Sequence, residues 1–319
     1  MAPPAAAELS DVRAAARRIA GLAQRTPVAT CATLDGMAGR RLFFKCEQWQ
    51  KAGAFKFRGA CNAVMLLPDA IAARGVVTHS SGNHAQALAL AARQRGIPAH
   101  IVMPSNAAAV KRRAVASYGA RLVECEPTLA ARETTAAAVQ ADTGATFIHP
   151  YDHPDIIAGQ GTVALEFLEQ VPELDAIIAP VGGGGLLAGI CVAAKALAPA
   201  IRIFAAEPLG ADDAARSLAA GTLIPQTAPD TIADGLLTSL GQLTWPIIRD
   251  QVECVITVSE AEIVAAMRQA WERAKLLVEP SAAVAVAAAL SPQFKALAGI
   301  ARAGVVLSGG NADLDRLPW

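Results

Sequence analysis

The chain has 319 residues, with 28 Lys plus Arg against 28 Asp plus Glu and a hydrophobic share of 53%, so its formal net charge is 28 − 28 = 0. That balance excludes intrinsic disorder, which combines low hydrophobicity with high net charge, and speaks against a dedicated nucleic-acid binder, which carries a basic excess. The length allows one large domain or two ordinary ones.

No signal-peptide pattern opens the sequence: Pro3, Pro4 and Glu8 stand where a basic and then an apolar region would be. Six scattered cysteines (Cys31, Cys46, Cys61, Cys125, Cys191, Cys254) show no CxxC spacing. They predict a reduced, cytoplasmic chain, not a disulfide scaffold or a zinc site.

From residue 75 onward, short apolar runs alternate with helical patterns. Residues 76–79 predict a strand, 80–83 a turn and 84–95 a helix. Residues 99–103 and 121–125 predict strands, and 106–117 and 129–141 predict helices. A second series follows, with a helix over 162–170, a buried strand over 176–180, a helix over 186–197 and a strand over 201–206. The 19 residues 176–194 carry no charge, long enough to cross a bilayer. Pro180 and the run Gly182 to Gly185 break them into strand, loop and helix instead. Residues 253–258 predict a strand, and Ser259 with Glu262 forms a capping-box signature. The helix it opens places Ile263, Met267, Ala270, Trp271 and Ala274 on one core-facing stripe. Residues 305–307 predict a last strand. This alternation implies βαβ units, parallel sheets and two α/β lobes without a linker.

Val181-Gly182-Gly183-Gly184-Gly185-Leu186 follows a strand and opens a helix. Backbone N–H groups there can approach an anion, and the helix N-terminus adds partial positive charge. A tight turn alone would need only one or two glycines. Gly183, Gly185 and Ala188 also satisfy G-x-G-x-x-A, with Glu207 placed for a ribose hydroxyl, so the glycines alone leave a dinucleotide open.

The segment Ala52-Gly53-Ala54-Phe55-Lys56-Phe57-Arg58-Gly59-Ala60 decides between them. A lysine in an apolar setting has a lowered pKa and favours Schiff-base chemistry. The string resembles the cofactor-lysine signature of fold-type II pyridoxal-phosphate enzymes, the tryptophan synthase β-like serine racemase and serine/threonine dehydratase family. Four further segments match in order: Ser80-Ser81-Gly82-Asn83-His84-Ala85-Gln86, Gly182 to Gly185, Glu279-Pro280-Ser281-Ala282 and Leu307-Ser308-Gly309-Gly310-Asn311. Residues 42–47 and 244–250 are similar to the racemase branch. Where relatives often carry Thr-Gly-Ser before the Phe-Lys pair, this chain has Ala52-Gly53-Ala54.

The resemblance implies a role for each of these residues. Lys56 would carry pyridoxal 5'-phosphate as a Schiff base and, once displaced, take the Cα proton. Gly182, Gly183, Gly184 and Gly185 would bind the phosphate, Asn83 the ring hydroxyl, and Phe55 would pack on the ring. Ser308 would face the pyridine nitrogen, where a neutral group makes the ring a weaker electron sink than a carboxylate would. Ser80, Asn83 and His84 would hold the substrate carboxylate. Ser81, alanine in many threonine dehydratases, would be a second base opposite Lys56; the plainer role is a cap on the next helix. Arg132 and Thr238 would line the distal end of the substrate, and Tyr151 replaces the asparagine expected from animal racemases. Glu207 and Asp213, with the Ala211 carbonyl, would supply oxygen ligands to Mg²⁺ (or Ca²⁺ or Mn²⁺). Ser281 and Asn311 read either as supports behind the site residues or, more simply, as turn or helix-cap residues.

The expected organisation is a large cofactor-binding domain (1–72 with 151–319) and a small mobile substrate domain (73–150). The expected activity is elimination of water from a small β-hydroxy amino acid such as L-serine, giving a 2-oxo acid and ammonia, with serine racemisation alongside. The alternative is a 3-hydroxyaspartate ammonia-lyase giving oxaloacetate, with Arg132 on the second carboxylate. A homodimer, a nucleotide effector, and no nucleic-acid or membrane partner complete the expectation.

Overall fold

The computed structural model describes residues 7–107 and 109–319. Residues 1–6, part of the signal-peptide reading, and Ala108, within the predicted helix over 106–117, lie outside the described residues. Among the described residues, ten strands form two sheets. One has six strands in the order β1-β2-β10-β7-β8-β9: β1 (Val28–Ala29), β2 (Arg41–Cys46), β10 (Arg302–Leu307), β7 (Ala176–Pro180), β8 (Arg202–Pro208) and β9 (Cys254–Val258). The other has four, in the order β5-β4-β3-β6: β5 (Arg121–Cys125), β4 (Ala99–Pro104), β3 (Val76–His79) and β6 (Thr146–Phe147). Every pairing is parallel except β1 with β2. β4 and β7 are buried at every position, as strands covered by helices on both faces must be.

The predicted strands all form, and the uncharged stretch becomes β7, the glycine loop and the helix Gly185–Leu197. Among the described residues no helix is long and apolar enough to cross a membrane. The Ser259–Glu262 capping box is present, and the helix it opens ends in a π-helical turn, Ala270–Ala274. Two expectations needed correction. The helix predicted over 162–170 begins at Pro154, because His153 caps it by accepting the Asp155 N–H and proline is preorganised for a first turn. Gly159 and Gly161 had masked that start. β2, for which no strand was expected, lies beside β10 in the six-stranded sheet.

Those two glycines explain how the helices pack. A Cβ at Gly159 would lie 2.6 Å from Gly59 Cα, and one at Gly189 would lie 2.5 Å from Gly161 N. The helix Pro154–Gln170 therefore crosses both the helix Lys56–Leu66 and the helix Gly185–Leu197 at backbone contact. The alanine-rich helix Pro280–Leu290, buried along almost its whole length, packs into the core of the six-stranded sheet.

A charge-balanced cluster locks this arrangement. Arg58 is fully buried and donates from Nε and Nη2 to the Glu47 carboxylate, both at 2.8 Å. It also donates from Nη1 and Nη2 to Glu166, again at 2.8 Å. Lys45 Nζ, equally buried, donates to Glu166 at 2.7 Å, to Thr26 O at 2.8 Å and to Gln170 at 2.9 Å. Burial works against charge on Glu166, but Arg58 and Lys45 together hold its carboxyl below the ordinary range. Two cations and two anions thus join β2, the lysine helix and the helix Pro154–Gln170. Removing one partner strands the others without water, so Arg58→Met is expected to lower the unfolding free energy by about 3–5 kcal/mol. Denaturant melts measure this, and an unchanged midpoint would contradict the account.

Candidate active site

Lys56 opens its helix after an unusual turn. Ala52 has φ 57° and Gly53 φ 70°, both left-handed, and a non-glycine residue in that region needs outside support. The end of β10 supplies it. Asn311 Nδ2 donates to Ala52 O at 2.8 Å, Gly310 N to Gly53 O at 2.9 Å, and Phe55 N to Ser308 O at 3.0 Å. The partly buried Lys56 Nζ donates to Pro150 O at 2.7 Å, with the Phe55 and Tyr151 rings centred 5.2 and 5.8 Å away. Burial pushes its pKa down from 10.5 to about 8. An amine in this state is available as a nucleophile or base near neutral pH.

The glycine loop lies between β7 and the helix Gly185–Leu197. Gly182, Gly183, Gly184 and Gly185 are all buried. Gly184 has φ 87°, and a Cβ at Gly183 would overlap the Tyr151 ring, so side chains are excluded there. The loop has the form of an anion cradle, with backbone at the N-terminus of a 13-residue helix.

The Ser80–Asn83 segment comes from the four-stranded sheet. Gly82 is the N-cap of the helix Asn83–Arg95, with no side-chain cap bond, so Ser81 does not serve as a cap. Ser80 Oγ accepts the Gly82 N–H at 3.4 Å. His84 is buried with Nε2 3.3 Å from Ile148 O and Nδ1 unpartnered; burial and nearby Lys56 keep it well below its ordinary pKa. Asn83 is tied to the six-stranded side. Its Nδ2 donates to Glu279 Oε1 at 2.8 Å, and its Oδ1 accepts from Asn311 Nδ2 at 2.8 Å. Glu279 Oε2 also accepts the Asn311 N–H at 3.0 Å. Burial, with the Asp234 carboxylate adding to it, raises Glu279 to about 7.

The sequence alone points to no role for Glu279 and leaves Asn311 either a support behind the site or a turn or cap; the structure makes Asn311 such a support, bonded to Asn83 and Glu279. Their part depends on a three-way contact that no spacing reveals. Asp152 was likewise missed; its carboxylate accepts the Gln242 and Leu243 N–H groups at 2.9 and 2.8 Å. Ser281 is not a cap: its Oγ accepts the Gly235 N–H at 2.9 Å.

The structure thus brings together Lys56, Phe55, Ser308, Asn83 and the residues around them. Ser308 is buried. Arg132 lies on the helix Leu129–Thr143 with its Nε buried and unpartnered among the described residues; it is near His79, whose pKa is lowered chiefly by burial, with the Arg132 charge adding to it. Thr238 is exposed and lies near Tyr151.

Glu207 lies near the end of β8. Its oxygens accept the Ala214 and Ala215 N–H groups at 3.0 and 2.9 Å, and burial raises it to about 8. Asp213 Oδ2 accepts the Leu240 N–H at 3.0 Å, its Oδ1 is buried without a partner, and burial raises it to about 6. Ala211 is buried beside them in sequence. Among the described residues no group of three or more His, Cys, Asp or Glu side chains converges on a metal position.

The family model described as pyridoxal-phosphate dependent enzyme matches residues 19–309. The chain is 52% identical over 315 residues to a serine racemase of Arabidopsis thaliana, covering 98% of this chain and 95% of that protein. It is 52% identical over 309 residues to a beta-hydroxyaspartate dehydratase of Paracoccus denitrificans (strain Pd 1222), covering 97% and 98%. The solved structure of maize serine racemase superposes with a TM-score of 0.96 at 52% identity, covering 98% of this chain and 95% of that one. The lysine, the glycine cradle and the late Ser-Gly-Gly-Asn turn therefore stand in a fold known for this chemistry, and the chain belongs to the pyridoxal-phosphate-dependent enzymes.

Proposed function

We propose that this enzyme eliminates water from a small β-hydroxy amino acid such as L-serine, giving a 2-oxo acid and ammonia, and racemises serine. The observation that carries this is the partly buried, pKa-lowered Lys56 amine in a cleft that also holds a glycine cradle and a serine-bearing loop. The residues present fit the cofactor: the cradle excludes side chains, Lys56 Nζ bonds only a backbone carbonyl among the described residues, and Ser308 is buried at the end of the adjoining strand. When bound, the cofactor supplies the electron sink that makes the substrate Cα–H acidic.

In this proposal the glycine-loop N–H groups hold the phosphate and Phe55 packs on the ring. Asn83 would hold the ring hydroxyl through its amide, and Ser308 would face the ring nitrogen. Ser80, Asn83 and the first turn behind His84 bind the substrate carboxylate. Lys56 Nζ takes the Cα proton, and Ser81 Oγ serves the opposite face, as inversion at Cα requires. A neutral Ser308 favours prompt loss of the β-group or reprotonation at Cα.

Residues 73–150 would form a small mobile domain over a large one made of 1–72 and 151–319. Asn83 to Glu279 and the ion pair of Lys111 with Asp234 are the contacts that would clasp it shut. A divalent cation would sit at Glu207, Asp213 and the Ala211 carbonyl. The unpartnered Asp213 Oδ1 supports this, as does the sparse ligand set that Mg²⁺ accepts when it keeps its waters. It would brace the loop without entering the reaction. A homodimer in a reducing cytoplasm fits the exposed Trp49 and Leu314 and the six free thiols.

A second reading, a 3-hydroxyaspartate ammonia-lyase, is favoured by Arg132, which has no ion-pair partner among the described residues although its Nε is buried. A panel of L-serine, D-serine, L-threonine and the 3-hydroxyaspartate isomers, assayed for 2-oxo acid and inverted amino acid together, separates the two. Turnover of hydroxyaspartate alone would overturn the serine assignment. Ser81→Ala is expected to keep elimination and lose racemisation by roughly 100-fold, the low end of a general base's contribution; equal loss of both would sink the two-base scheme. In cofactor-free protein, only the neutral Lys56 amine reacts with an amine-directed reagent. Its labelling, followed by peptide mass spectrometry, should therefore rise with a midpoint near pH 8 and not near the ordinary lysine value of about 10.4. Chelation by EDTA is expected to lower the melting temperature and added Mg²⁺ to restore it in the wild type but not in Asp213→Asn; an indifferent wild type refutes the cation site.

A further inference from the structure

Tyr151 replaces the asparagine that the resemblance leads one to expect, and none of the steps above uses it. It lies in the loop between β6 and the helix Pro154–Gln170, and it borders the cleft on two sides. Toward the lysine, its ring is centred 5.8 Å from Lys56 Nζ, while the preceding carbonyl, Pro150 O, holds that nitrogen at 2.7 Å. Toward the cradle, the ring covers Gly183, and a Cβ at Gly185 would lie 2.9 Å from Tyr151 Cβ.

The ring is anchored from behind. His149 Nδ1 accepts the Tyr151 and Asp152 N–H groups at 3.3 and 2.8 Å, and the two rings meet edge-on at 4.6 Å. The Asp152 carboxylate grips the backbone of Gln242 and Leu243, and Thr244 Oγ1 from the same turn donates to Gly183 O at 2.9 Å. The loop that carries the ring is held by these bonds and the ring itself by the His149 edge, so Tyr151 is a wall, not a flap. Thr238 lies beside it, and burial followed by the Asp152 charge raises the pKa of its phenol, so it stays a neutral hydrogen-bonding group.

Lys56 Nζ must come within about 3–3.5 Å of the substrate Cα to take its proton. A ring centred 5.8 Å from the same nitrogen then lies within reach of whatever Cβ carries. We propose that Tyr151 is a specificity-determining residue: its ring bounds the space for the β-substituent, and its phenol, with the Thr238 hydroxyl, offers hydrogen bonds to a departing hydroxyl.

This rests on the β-elimination reading, and the test separates the two. Holoenzyme and its Tyr151→Phe variant are compared on L-serine and on β-chloro-L-alanine, whose leaving group makes no comparable hydrogen bond. Losing one neutral hydrogen bond is expected to raise the ratio of KM for L-serine to KM for β-chloro-L-alanine about three- to tenfold. The visible absorbance of the bound cofactor and its retention on dialysis should match the wild type. An unchanged ratio overturns the proposal. So does loss of the cofactor without a change in the ratio, which would make Tyr151 a support of the glycine loop only. A wild-type enzyme that eliminates from neither substrate fails the reaction reading itself, and the proposal with it.

Discussion

The structure depends on a cation with nowhere else to go. Arg58 has no contact with water, so its charge is tolerable only because Glu47 and Glu166 meet it in two-pronged hydrogen bonds. Desolvation makes each charge costly alone, and the fourfold set costs far less together. The same set fixes the orientation of the helix that begins two residues earlier, at Lys56. The amine's place in the cleft thus follows from where the guanidinium must sit.

The cleft is a meeting of segments from the two sheets. The six-stranded sheet contributes the glycine loop and the turn after β10, and the four-stranded sheet contributes the Ser80–Asn83 segment. One buried carboxylate, Glu279, bonds the amide of Asn83 and the backbone of Asn311, and the Asn311 side chain in turn holds the left-handed turn before Lys56. Strain at Ala52 is sustained because neighbouring groups over-determine it. The lowered pKa of Lys56 has a simple cause: burial, with aromatic rings and a carbonyl around its ammonium and, among the described residues, no carboxylate bonded to it.

Much of this was legible in the sequence. Strand and helix periods from residue 75 onward, the glycine run and the Phe-Lys pair pointed to parallel sheets and a pyridoxal-phosphate enzyme, as the structure and its relatives show. What escaped has a common physical origin. β2 hid because Lys45, a residue expected at the surface, is buried among Glu166, Thr26 and Gln170. The first eight residues of the helix Pro154–Gln170 hid because glycine, a poor helix former, is used there for close approach. Glu279 hid because a buried acid reads no differently from a solvated one until its partners, more than 30 positions away in sequence, are in place. Zero net charge conceals such pairing, since it sums cations and anions without saying which are in water.

The bare backbone crossings of Gly59 with Gly159 and Gly161 with Gly189 carry a consequence for how this scaffold diversifies. They bring the lysine helix and the cradle helix to backbone contact with the helix between them, where a conservative core swap has little room to adjust the spacing. The spacing behaves as a gauge, passed on unaltered or lost outright with the fold. New substrates must then be accommodated outside it, in the segments around Ser81, Tyr151 and Thr238. A scaffold built this way keeps its reaction constant and leaves its choice of substrate free to drift.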